Sequence, residues 1–232
     1  MRSLVQDWLT ARSFLRWIVR PVFAFTLVWV PTDLNLHAQC PDTGETKVIK
    51  PAQGTGYRFY KFVGDSSFVY FLDGKKFSLN EKDDPGKTFL FIDDFAYEPI
   101  MVTRDDLAKY VKSASAIDIL RAQAKHAQDR MKSAVPSVVI TDYGSSTRKN
   151  ADGTDDRPFY LWKKENPFRS EDARQYLVST VVKGGVAVLS FMPLKASVSE
   201  DDVLLQIRKY TSSFDLLSKD RCAKVLSQPT AP

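Results

Sequence analysis

Histidine is almost missing from this chain: His37 and His126 are the only two in 232 residues. His37 falls in an N-terminal segment with the marks of a targeting signal, which leaves His126 alone. Histidine-rich zinc sites and Ser-His-Asp or Cys-His nucleophile systems therefore lack their parts. Cysteine is as scarce, with Cys40 and Cys222 the whole complement. The longest apolar run of the N-terminal segment, Val22 to Val30, falls far short of the about 20 residues that a membrane-spanning helix needs. Neither charge sign dominates any region. Basic doublets at Lys75-Lys76, Arg148-Lys149, Lys163-Lys164 and Arg208-Lys209 are interspersed with acidic doublets at 83–84, 93–94, 105–106, 155–156 and 201–202. That pattern is a solvated surface, without the basic stripe that tracks phosphates. Of the formal charge of +5, residues 1–38 supply a net +2 (Arg2, Arg12, Arg16 and Arg20 against Asp7 and Asp33). The basicity is in part a targeting effect, and no nucleic-acid partner is expected.

Glycine motifs fail on inspection. Gly86-Lys87-Thr88 has the tail of a P-loop, but Glu81 stands where the first glycine belongs, and Phe89 to Ile92 reads as a strand rather than a helix. Gly54-Thr-Gly56 lacks the third glycine of a dinucleotide site. No nucleotide and no cofactor is expected. Ser146-Thr-Arg-Lys149 spells S-x-x-K, yet it lies in a polar loop and no S-D-N exists. Asn150 to Asp156 resembles part of a calcium loop, but an EF-hand register would begin at Arg148 and end at Phe159, where carboxylates belong. The stretch reads as a solvated turn. Asp152, Asp155 and Asp156 are its candidate metal ligands.

What is present is a globular composition, 44% hydrophobic, 26% charged and 12% aromatic, which excludes a wholly disordered chain. Arg12, Arg16 and Arg20 precede the Val22–Val30 run, which Pro21 and Pro31 bracket. That is the charged and apolar order of a secretory signal, with cleavage after Ala38. The alternative is an uncleaved anchor from Phe14 to Val30, the one reading that brings a membrane into play. Both place the remainder outside the cytoplasm, periplasmic or secreted. The expected layout is a signal at 1–38, a single α+β domain at 39–226 and a flexible tail at 227–232. In an exported chain an even cysteine pair reads as a disulfide, here Cys40 to Cys222.

Strands are expected at 57–63, 67–72, 75–80, 88–102, 138–140, 159–162, 176–182 and 186–192, with Asp73-Gly74 and Gly184-Gly185 as hairpin turns. A long helix is expected from Thr103, on the stripe Leu107, Tyr110, Ala114, Ile117, Leu120, Ala124, Ala127 and Met131, and a last helix from Ser199. Both open on a hydroxyl with aspartate three residues on. His126, nine residues beyond Ile117, faces solvent opposite the stripe. The fold class is α+β: an antiparallel sheet of about six to eight strands with two main helices. Its closing hairpin and helix resemble, in layout, the Mog1 and PsbP-type sandwiches.

Two groups remain as function candidates. Tyr60, Tyr70 and Tyr97 stand in an aromatic-rich stretch and would form a ligand platform if they faced outward. Asp94 and Glu98, with Tyr97 alongside, would form an acid/base pair or cation site if they converged on a cleft. The functional expectation is an exported, non-enzymatic cell-envelope domain that binds a ligand or protein partner. The alternative is a carboxylate-based hydrolase of the cell envelope. N-terminal sequencing of the envelope form is expected to begin at Gln39, whereas a retained Met1 in the membrane fraction would establish the anchor.

Overall fold

The computed structural model describes residues 40–51, 54–80, 89–112, 115–149, 156–166 and 174–228. The signal segment, the acidic 81–86 stretch, the P-loop-like glycine, and Asp152 and Asp155 lie outside them. The fold is α+β, with two antiparallel sheets. The smaller has four strands in the order β1 (Thr46–Ile49), β2 (Tyr57–Lys61), β3 (Phe68–Leu72) and β11 (Asp215–Leu216). The larger has seven, in the order β4 (Phe77–Asn80), β5 (Phe89–Ile92), β6 (Phe95–Thr103), β10 (Gly185–Pro193), β9 (Gln175–Val182), β8 (Asp156–Glu165) and β7 (Val139–Lys149). The helices are α1 (Arg104–Ala108), α2 (Ala116–Ala134), α3 (Glu200–Ser213) and α4 (Lys219–Leu226).

Alternation along each strand builds three apolar layers. Phe59, Tyr70 and Leu72 of the small sheet meet Tyr97, Phe159 and Phe191 of the large sheet, and α3 adds Val203, Ile207, Tyr210 and Phe214. The opposite face of the large sheet, through Tyr160, Trp162, Leu177 and Val188, receives Leu120 and Ala124 of α2. Behind the small sheet, Tyr60, Phe62 and Val69 pack on Cys222 and Val225 of α4. Both sides of the aromatic strands are thus covered. Tyr60, Tyr70 and Tyr97 are 7%, 2% and 0% exposed, so the expected platform is core. Their rings stabilise the core by burial instead, offset at Tyr70 and Tyr97 by hydroxyls without a partner.

The Asp73-Gly74 hairpin is corrected as well. Phe68–Leu72 and Phe77–Asn80 belong to different sheets, and the dipeptide carries the chain across. Side chains direct this crossing. Asp93, in the β5–β6 turn at φ 51°, accepts from the amides of Lys75 (3.0 Å) and Lys76 (2.9 Å). Asp73 accepts from Thr55 (2.7 Å) and Lys209 (2.5 Å), and the Lys209 hydrogen bond, with help from Thr55, holds its carboxyl below the ordinary value against burial. Gly74 has φ 155°, and a Cβ there would run into the Ile92 side chain.

The long helix is two. α1 ends at Ala108 and α2 begins at Ala116, after the extended Ser115. A serine such as Ser115 competes for backbone hydrogen bonds and favours such a break. The break lets Tyr110 stack on exposed His126, with centroids 4.0 Å apart and planes 9° apart. In one straight helix these residues would stand about 24 Å apart along the axis. The two expected N-caps are present: Thr103 accepts from the Asp106 amide, and Ser199 forms a full capping box with Asp202. The 144–157 loop is largely strand: β7 runs to Lys149 and β8 begins at Asp156. Ser146 and Lys149 are therefore strand residues, not parts of a nucleophile helix.

Cys40 and Cys222 are bonded, with Cα atoms 5.5 Å apart across 182 residues of sequence. A bridge over so long a loop stabilises mainly by restricting the unfolded chain. The Cys40→Ser, Cys222→Ser double variant is expected to lose up to about 5 kcal/mol, read as a fall in Tm and denaturation midpoint.

Candidate functional site

Of the expected carboxylate group, Asp94 is paired with a lysine, and Tyr97 and Glu98 are parted. Asp94 sits in the two-residue turn between Ile92 and Phe95, and Lys195 Nζ binds its carboxylate at 2.7 Å. Alternation along β6 then sends Tyr97 and Glu98 to opposite faces. The Tyr97 ring packs between Phe95 and Phe191 in the inter-sheet core, its hydroxyl without a partner. Burial, and then the charges of Asp93 and Asp73, push that hydroxyl well up. Glu98 lies on the other face, where its charge acts on Lys164 of β8. Asp156 opens β8 opposite Lys149, and no group of three or more metal-ligating side chains gathers among the described residues.

A different cluster assembles where β7, β8 and β9 meet the start of α3. It begins with a β-bulge. Asp142 pairs with Trp162 and Gly144 with Leu161, so Tyr143 is an extra residue in β7. Asp142 secures the bulge from one side, accepting from the Gly144 amide (2.8 Å) and the Tyr160 hydroxyl (2.6 Å). Gly144 supplies φ 78°, which few side-chain-bearing residues adopt. The bulge swings Tyr143 the other way, and its hydroxyl donates to Glu200 at the first position of α3. Ser199 caps that helix, so Glu200 also sits in the favourable field of its N-terminus.

Lys163 closes the cluster. Its side chain is 10% exposed, with Nζ 3.2 Å from Glu165 and 3.4 Å from Glu200. It also lies over the Tyr176 ring, 5.7 Å from the centroid. Lys163 and Glu165 share a face because they are two apart on a strand. Tyr176 is fully buried, and its hydroxyl has no partner. Arg174, just before β9, donates to the Val198 carbonyl at 2.9 Å and ties down the loop that leads into α3.

The charges hold Lys163 and Glu200 in their ionised forms. Burial pulls the Lys163 ammonium down, but the Glu165 hydrogen bond, with the fields of Tyr176, Glu165 and Glu200, outweighs it and holds the amine above its usual value. The Tyr143 hydrogen bond, then the Lys163 charge, hold Glu200 below the usual carboxylate range against a burial penalty. Burial, then Glu200, push the Tyr143 hydroxyl up. At neutral pH Lys163 and Glu200 are therefore charged and the Tyr143 hydroxyl is neutral. The cluster offers fixed donors and acceptors, with Tyr143 38% exposed and the Glu165 and Glu200 side chains 33% and 45% exposed. On the opposite face, burial lowers the Lys164 amine, with Glu98 opposing.

Sequence reasoning missed this cluster. Its one local signal is Lys163-x-Glu165 on an apolar strand, an opposite-charge pair on one face. Tyr143 and Glu200 join it through a bulge and a helix start far along the chain.

No family model matches the chain, and no curated protein matches it. Among solved structures it is similar to the solution structure of cyanobacterial PsbP (CyanoP) from Synechocystis sp. PCC 6803. The identity is 11% and the TM-score 0.46, over 72% of this chain and 95% of that one.

The cluster has a defined pH dependence. Glu200 titrates below its ordinary value of 4.5, so its contribution is full above that pH and is lost as pH falls through the folded value. Lys163 titrates above 10.5, so its contribution is full below that pH and is lost as pH rises through the folded value. Lys163→Met is expected to cost about 1–2 kcal/mol at pH 7, to abolish the alkaline limb and to weaken the acid limb only in part, since Tyr143 still holds Glu200, measured by denaturant melts across pH.

Proposed function

We propose that this chain is an exported, non-enzymatic domain of the cell envelope that binds a protein partner or ligand. The observation that carries the reading is the Tyr143–Lys163–Glu165–Glu200 cluster. It is buried at its floor and half-open at its rim, and Lys163 and Glu200 are both held in their charged forms. Such a cluster recognises rather than turns over. The Cys40–Cys222 bridge supports an oxidising compartment, periplasmic or extracellular. Among the described residues no helix is long and apolar enough to cross a membrane.

A photoreactive side chain in place of Tyr143 is expected to give one discrete adduct in the intact envelope. The same group at Lys125, on the solvent side of α2, is expected to give none. The purified chain is expected to be inert toward ester, glycoside, amide and phosphate test substrates. Turnover that disappears in an Asp94→Asn, Glu98→Gln variant, or in Glu165→Gln, would establish the hydrolase instead.

A further inference from the structure

β7 is the last strand of the large sheet, and among the described residues its outer edge has no neighbour. Ser145 to Lys149 are exposed, and no proline interrupts the strand. An open edge of this kind accepts another strand unless something blocks it. Its sequence, Asp142-Tyr-Gly-Ser-Ser-Thr-Arg-Lys149, has an acid and an aromatic at one end, two bases at the other and hydroxyls between.

That order is self-complementary in one antiparallel register. With a twofold axis at Ser146, Ser146 opposes Ser146 of a second copy, and Ser145 opposes Thr147. The bulge then sets Tyr143 and Gly144 together against one residue, Arg148, as it does against β8. Lys149 consequently falls opposite Asp142. The sides agree too. Asp142 pairs with Trp162 and Ser145 with Tyr160, both on the α2 face, and alternation from Ser145 puts Lys149 on that same face. Arg148 falls on the other face, where Tyr143 reaches Glu200, so the second copy's guanidinium meets an exposed ring and a half-exposed carboxylate. A strand without the bulge would leave Asp142 one residue out of register with Lys149.

We propose that two copies of this chain pair β7 to β7, antiparallel about Ser146, and join their large sheets across the dyad. The interface is isologous, so each favourable contact occurs twice.

Both native cysteines are paired, so a single new cysteine is the only free thiol. The chain from Gln39 is expected to sediment as a monomer–dimer equilibrium that shifts with concentration. Ser146→Cys is expected to form an inter-chain disulfide at least about tenfold faster than Ser145→Cys, because residues directly opposite have Cβ atoms only about 5 Å apart. A mixture of Ser145→Cys and Thr147→Cys is expected to cross-link between the two variants. Lys149→Glu is expected to weaken the dimer roughly tenfold, since two cross-strand charge pairs are reversed. A monomer at every concentration overturns the proposal. So does a dimer in which Ser146→Cys cross-links no faster than Ser145→Cys.

Discussion

The large sheet is covered on both faces, and nearly everything else depends on that constraint. α3 and the small sheet lie over one face, and α2 over the other. Strand alternation therefore sorts neighbouring residues into two interiors rather than into inside and outside. A charged side chain on a central strand then needs a partner, because burial without one costs far more than it does for a neutral hydroxyl. The Lys163-Lys164 doublet shows the consequence. Lys163 enters the α3 side and is held charged by Glu165 and Glu200. Lys164 enters the α2 side, where burial lowers its amine against the charge of Glu98.

The same constraint explains why the cluster under α3 is both structural and open. Glu200 is the first residue of α3, and Lys163 and Tyr143 hold it to β8 and β7. Arg174 holds the preceding loop through the Val198 carbonyl. These contacts position the helix that completes the inter-sheet core through Val203, Ile207 and Tyr210. The rim remains half-exposed because β7 is an edge strand with nothing beyond it among the described residues. A single inserted residue, Tyr143, links the two: it reaches α3 from a strand whose far side is free.

Local signals made part of this legible. The β9–β10 hairpin forms as expected, with its turn at Lys183-Gly184 rather than Gly184-Gly185, and Thr103 and Ser199 cap their helices, because turns and caps are decided within a few residues. The Asp73-Gly74 turn and the continuous helix through Leu107 differ from expectation for different reasons. The first local preference was overridden by distant partners, Asp93 and Lys209, whereas the helix broke at a serine-containing stretch and so brought Tyr110 onto His126. Tyr97 parts from Glu98 because neighbouring strand residues face opposite sides, so one enters the inter-sheet core and the other the α2 side. Tyr143, Lys163 and Glu200 were beyond reach because a bulge is invisible in a pattern of period two.

The sequence by itself determined the class of fold, the cores of most strands, the two helix caps and the cysteine pair. These rest on alternation, capping chemistry and the count of thiols, all of which act locally or by arithmetic. Tertiary structure alone decided which strands share a sheet, which faces the aromatics fill and which charges meet. The physical reason is that a strand has two equivalent sides until packing distinguishes them. Only when α2 settled on one face and α3 on the other did Lys163, Glu200 and Tyr143 become neighbours.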